Sequence, residues 1–179
     1  MDKLLEFFIK EPYREFYIRE IAKKTKKSPT TISKYLKEYE KEGILNSEKK
    51  LNHLLFKADV ENKNFRLVKL SRNIELINKS GLIEFLEEEF NYPEAIILFG
   101  STAKSENIPR SDIDILVISA KKKEPYSANL EKFEKELGHK IQLFSHTPEE
   151  IKKLKQTNKE LVNSWVNGIV IYGYFELLK

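Results

Sequence analysis

The sequence predicts an α+β chain built in two unlike parts joined by helices. Three observations carry this. Residues 1–60 hold short apolar repeats at helical spacing and then two strand-like runs. Residues 61–90 hold apolar positions three and four apart, the mark of amphipathic connecting helices. Residues 91–179 alternate short apolar runs with helical patterns, starting with Ala95-Ile96-Ile97-Leu98-Phe99, a continuous apolar segment of the kind that forms a buried strand.

Composition narrows the classes of function. The chain has 179 residues, 40% hydrophobic and 34% charged, so it can build cores but carries a heavily charged surface. It has no cysteine, which excludes disulfides and thiolate metal sites. No apolar run approaches the ~20 residues that span a bilayer, and Met1-Asp2-Lys3 does not open a signal peptide, so a cytoplasmic protein without a membrane partner is expected. The net charge is +4, and residues 1–60 carry all of it, with 14 Lys/Arg against 10 Asp/Glu. Residues 61–179 carry 18 of each. A polyanion is therefore an attractive partner for the first third.

The first third can be taken element by element. Leu4, Leu5, Phe7 and Phe8 give a short helix, and Ile18, Ile21 and Ala22 a second. Ser28 is a natural N-cap, and Pro29 suits the first helical position, where its missing N–H has no partner in any case. The third helix should bury Ile32, Leu36 and Tyr39 and stop at Gly43. Thr30, Thr31, Ser33, Lys34 and Lys37 then stay on its outer face, beside Ser28, as hydroxyls and amines suited to phosphates and base edges. Strands at 44–47 and 54–58 should flank a basic turn, 48–52, that holds Lys49 and Lys50. Residues 18–22 and 28–33 resemble the winged helix-turn-helix of prokaryotic transcriptional regulators, with one departure: Ile18 stands where a Ser or Thr cap is typical. The resemblance implies binding of double-stranded DNA, with the basic hairpin as the wing.

In the connecting segment, Leu67, Leu70, Ile74 and Ile77 predict an amphipathic helix closing at Ser80-Gly81, followed by a helix over 82–90 with Leu82, Phe85 and Leu86 on one side. This seam can serve its own core or a second subunit, so a homodimer is one expectation.

The chemistry concentrates between Phe99 and Val117. The apolar run ends in Gly100-Ser101; ten residues later comes Asp112-Ile113-Asp114, and then Ile115-Leu116-Val117-Ile118. Carboxylates at i and i+2 of a strand project from one face. They repel unless a cation lies between them, a role that suits Mg²⁺ completed by nucleotide phosphates. Gly100 lets the backbone approach a triphosphate, and Ser101 offers a hydroxyl and an amide where a helix begins. This joint pattern resembles the signature of the DNA polymerase beta nucleotidyltransferase superfamily, most closely its minimal nucleotidyltransferases. The whole chain is similar to archaeal or bacterial fusions of a winged helix to such a domain. The resemblance implies a small mixed β-sheet flanked by helices, Asp112 and Asp114 as catalytic and metal-binding residues, Gly100, Ser101 and Lys104 as nucleotide-binding residues, and Mg²⁺ with a nucleoside triphosphate as cofactor and ligand.

Two departures from that family matter. Active members have a third carboxylate on a later strand, and here the strand Lys140–Phe144 should place Gln142 in that position. An amide cannot take a proton at neutral pH, and losing a general base costs ~10²–10⁴ in rate. Lys104-Ser105 also stands where the family often has Arg-Gly. Two functions follow: a DNA-binding regulator whose nucleotidyltransferase-like domain binds nucleotide and Mg²⁺ with weak or absent turnover, or an active enzyme transferring a nucleotidyl group to a protein or small-molecule hydroxyl. The remaining signals read as structure. Thr147-Pro148-Glu149-Glu150 is a capping box, Trp165 is core, His53, His139 and His146 lack ligand spacing, and Lys121–Lys123 is a solvated loop.

Overall fold

The computed structural model describes residues 3–120 and 129–176, which form two compact units, Met1–Arg72 and Asn73–Lys179. The lysine triplet 121–123 lies outside the described residues. Among these residues no helix is long and apolar enough to cross a membrane.

The first unit contains α1 (Leu5–Lys10), β1 (Phe16–Tyr17), α2 (Ile18–Thr25), α3 (Pro29–Lys41), β2 (Leu45–Lys50) and β3 (His53–Ala58). The Ser28 hydroxyl accepts the Thr31 N–H at 3.1 Å and starts α3, with Pro29 in its first turn. α2 has no such help: Tyr17 occupies the N-cap and makes no side-chain bond, in keeping with the apolar Ile18 that follows it. Ile32 and Leu36 of α3 are fully buried among Phe8, Phe16, Ile21 and Phe56, a gain of about 1.5–3 kcal/mol per side chain. Tyr39 packs at the edge of this core.

The wing differs from its sequence expectation. β2 runs on through Glu48, Lys49 and Lys50, and β3 starts at His53, so these lysines sit on a strand and the turn is Leu51-Asn52 alone. Both turn residues have positive φ, 45° and 63°, the handedness that a two-residue hairpin turn needs. β1, two residues long, adds to β3 and gives the sheet order β1-β3-β2.

α4 (Lys63–Lys79) carries the chain from one unit into the other. Its buried positions are Phe65, Lys69, Asn73 and Ile77, four apart throughout, whereas the apolar pattern pointed to Leu67, Leu70, Ile74 and Ile77. Leu67 is in fact 62% exposed. The true inner face includes a lysine and an asparagine, which apolar periodicity cannot detect.

The second unit adds α5 (Leu82–Glu89), β4 (Ala95–Phe99), α6 (Gly100–Ala103), β5 (Ile113–Ile118), α7 (Glu131–Leu137), β6 (Ile141–His146), α8 (Pro148–Thr157), α9 (Lys159–Val166) and β7 (Ile169–Gly173). Its sheet is mixed, in the order β6-β5-β4-β7, with β5 and β6 parallel and the other pairs antiparallel. Alternation along the strands supplies two cores. Ile96, Leu98, Ile113, Ile115 and Val117 pack with Leu82, Leu86 and Phe133 on one face. Ile97, Phe99 and Leu116 pack with Ile151, Val162 and Trp165 of α8 and α9 on the other. The capping box at Thr147 and Glu150 is complete. The sheet is thus flanked by helices on both faces, as the resemblance implied.

Candidate functional site

β4 and β5 run antiparallel with Phe99 opposite Asp114, so the turn at Gly100-Ser101 stands beside the aspartate strand. Asp112 and Asp114, both half-buried, extend the face that farther along carries Leu116. Burial pushes the Asp114 carboxyl above its usual range, and the Asp112 charge pushes it the same way. Such a pair gains from a cation. Two carboxylates with phosphate oxygens form a donor set that fits Mg²⁺. Among the described residues no group of three or more His, Asp or Glu is placed to hold a metal.

Gly100 has φ 68°, and a Cβ built on it would lie 2.1 Å from Asp114 Oδ2. The glycine therefore makes room first of all for a carboxylate of its own site. Ser101 lies within α6, which is a single turn, and Lys104 caps its end with an exposed side chain. Ser105 is buried with φ 62°, a left-handed conformation costly for a residue with a Cβ, at the position where the sequence departs from glycine. The loop between the turn and the aspartates is tied from inside. Buried Asn73 donates to the Thr102 carbonyl at 3.2 Å and to Asn107 Oδ1 at 3.0 Å. Thr102 Oγ1 donates to the Asp112 carbonyl at 3.3 Å. Neither Asn73 nor Thr102 could be found from motif spacing, because their burial depends on tertiary partners.

Gln142 is where the sequence places it. It stands opposite Asp114 in the parallel β5–β6 register, and its Nε2 donates to Asp112 Oδ2 at 2.7 Å. The neighbouring carboxylates do not replace it. Glu134 accepts from the Lys140 ammonium at 2.7 Å and from the Ile141 N–H at 3.0 Å, which together hold its carboxyl below the usual range. Glu136 is exposed on α7, and Glu150 is engaged in its cap. His139 is satisfied through its Nδ1, 2.7 Å from the Ser111 carbonyl next to Asp112.

In the first unit, α3 borders an open groove of roughly 790 Å³, with Thr30, Ser33, Lys34 and Lys37 on one side and Arg19, Asn52 and His53 on the other. Arg19, Asn52, His53 and Tyr17, whose ring meets His53 edge-on at 5.7 Å, were not among the DNA-facing residues expected from the sequence. They come from two separate segments, 17–19 and 52–53, which the packing of α2 and the folding of the hairpin bring to α3. Ser28 and Thr31 are turned to capping, their hydroxyls 2.8 Å apart. Lys49 is exposed on β2, while Lys50 is held by Glu15 at 2.6 Å and Glu48 at 3.3 Å, contacts that raise its pKa.

The two architectures define a class of protein, a DNA-binding winged helix-turn-helix fused to a nucleotidyltransferase domain. A family model described as a nucleotidyltransferase domain matches residues 79–172, more than half of the chain, and the chain belongs to that family. A second model, described as winged helix-turn-helix DNA-binding, matches residues 18–46. Searches of curated proteins and of solved structures returned no match.

Proposed function

We propose that this chain is a DNA-binding transcriptional regulator whose nucleotidyltransferase domain binds a nucleoside triphosphate with Mg²⁺ and transfers little or no nucleotide. The observation that carries this reading is the 2.7 Å bond from Gln142 Nε2 to Asp112 Oδ2, on the strand where active members place a carboxylate. Gln142 neutralises part of the Asp112 charge by donation and has no lone pair basic enough to take a proton from an attacking hydroxyl. Asp112 and Asp114 would hold the ion, which supplies charge neutralisation at the phosphates when bound. Gly100 and Ser101 keep the turn close to both aspartates, and Lys104 stands exposed at its end. What remains is a site suited to sensing a nucleotide.

The test is direct. Calorimetry should show Mg²⁺-dependent heat with at least one common triphosphate, and Asp112→Asn should abolish the metal dependence. Labelled nucleotide should not accumulate on protein or small acceptors, and Gln142→Asp should raise any trace of transfer. A second reading, an active enzyme acting on a protein or small-molecule hydroxyl, is favoured by the retention of both aspartates on one strand face. Robust transfer that is lost in Asp114→Ala and indifferent to position 142 would establish it instead.

A further inference from the structure

α3 has a concave surface on each flank. One is the groove shared with the wing. The other, roughly 330 Å³, lies where α1, the end of α2 and α3 meet, and it is rimmed by Lys3, Lys24, Lys26 and Lys27 over a floor that includes Phe7 and Tyr35. Among the described residues no carboxylate lines either surface. The four ammonium groups on this rim repel one another, and an anion bound among them relieves that repulsion.

The rim is ordered by its surroundings. The Lys24 ammonium lies 5.5 Å from the centre of the Phe7 ring, and the Lys27 ammonium 5.2 Å from that of Tyr35. Such cation–π contacts restrict long side chains before any ligand binds. Lys24 also reaches Glu20 at 3.0 Å, which leaves Lys26 and Lys27 as the stronger hydrogen-bond donors to an anion. The turn that carries these two is fixed, with Lys26 in the left-handed region at φ 55° and the Lys27 N–H bonded to the Ala22 carbonyl at 3.1 Å.

A helix about 10–12 Å across fills a major groove about 12 Å wide, so phosphates of the two strands run along both of its sides. We infer that the Lys3/Lys24/Lys26/Lys27 rim is a second phosphate-binding surface, which clasps the backbone of one DNA strand while the wing side meets the other. The inference rests on the DNA-binding reading of the first unit. It assigns Lys26 and Lys27 the role of fixing position on the duplex, without reading sequence.

The experiment uses the full chain, a salt series of duplex-binding isotherms, and hydroxyl-radical footprints of each strand. Lys26→Ala/Lys27→Ala should weaken a preferred and a random duplex equally, by roughly ten- to a hundredfold, and lower the slope of log K against log salt by about 1.8. Protection should disappear from one strand and persist on the other. Both lysines are exposed, and an unchanged melting curve will show that the variant is folded. Intact duplex binding with an unchanged slope and footprint would overturn the inference while leaving the DNA reading in place. Unaltered protein that ignores duplex DNA at every salt concentration would overturn both. Inorganic triphosphate serves as the second probe. Saturable binding of it that the double substitution removes, with the duplex slope unmoved, would assign the rim to a free phosphate compound and overturn the claim for DNA.

Discussion

The two units hold their functional groups in opposite ways. In the first, Thr30, Lys34 and Lys37 stand exposed on α3, and the fold rests on Ile32 and Leu36 behind them. In the second, the Gly100 turn, Asp114, Ser105 and Asn73 are woven together by a positive φ, a close approach and buried hydrogen bonds. A surface that binds a long polyanion needs charge and shape but little exact placement. A site that binds a metal and a triphosphate needs positions fixed to a fraction of an ångström. Substitutions in the first should therefore change binding alone, while those in the second change binding and stability together.

The largest effect is expected at Gly100. Gly100→Val adds a β-branched side chain at φ 68° and drives it against Asp114, and should destabilise the second unit by about 3 kcal/mol. A denaturant melt showing less than about 1 kcal/mol would break the comparison. Next comes Lys34→Ala, which should weaken duplex binding about tenfold, with stability changed by less than about 0.5 kcal/mol. A lowered melting temperature would show that the first unit is not so permissive.

Lys69 sharpens the point from inside the first unit. It is 2% exposed, and burial pushes its pKa down from 10.5 to about 8. Below pH 8 the folded chain pays to bury the charge. Between pH 8 and 10.5 the folded state releases the proton while the unfolded state keeps it, so stability should rise with pH across that window, by up to about 3 kcal/mol. Lys69→Met should flatten this dependence in melts at pH 7, 9 and 10. The smallest effect is expected at Ser105. Glycine relieves the left-handed strain, so Ser105→Gly should stabilise the second unit by about 0.5 kcal/mol. A loss of stability would mean that the buried hydroxyl matters more than the backbone.

What could be read from the sequence was local and repeated. Ser28-Pro29 and Thr147 through Glu150 start helices because each cap is settled within four residues. Gln142 could be placed in advance because strand alternation leaves one choice once Ile141 and Leu143 face the core. Features that depend on tertiary partners were missed. β1 has two residues, too few to show a period, and exists because β3 lies beside it. The inner face of α4 was misassigned because two of its four positions are Lys69 and Asn73, and a hydrogen bond to Thr102, not apolarity, brings Asn73 inside. Lys49 and Lys50 were placed in a turn because their polarity outweighs the pairing that draws them into a strand.

The crowding of Gly100 against Asp114 ties the glycine to its neighbour by packing. A glycine that only welcomed a triphosphate would be free to drift once turnover ceased. Here any larger residue must first displace a neighbouring side chain, so packing alone would keep the glycine as long as Asp114 stays. Packing thus holds the glycine of this turn independently of any ligand. The residue opposite Asp114 on β6 is under no such steric demand: exposed Gln142 is joined to the site through its hydrogen bond to Asp112, a contact of polarity and not of volume.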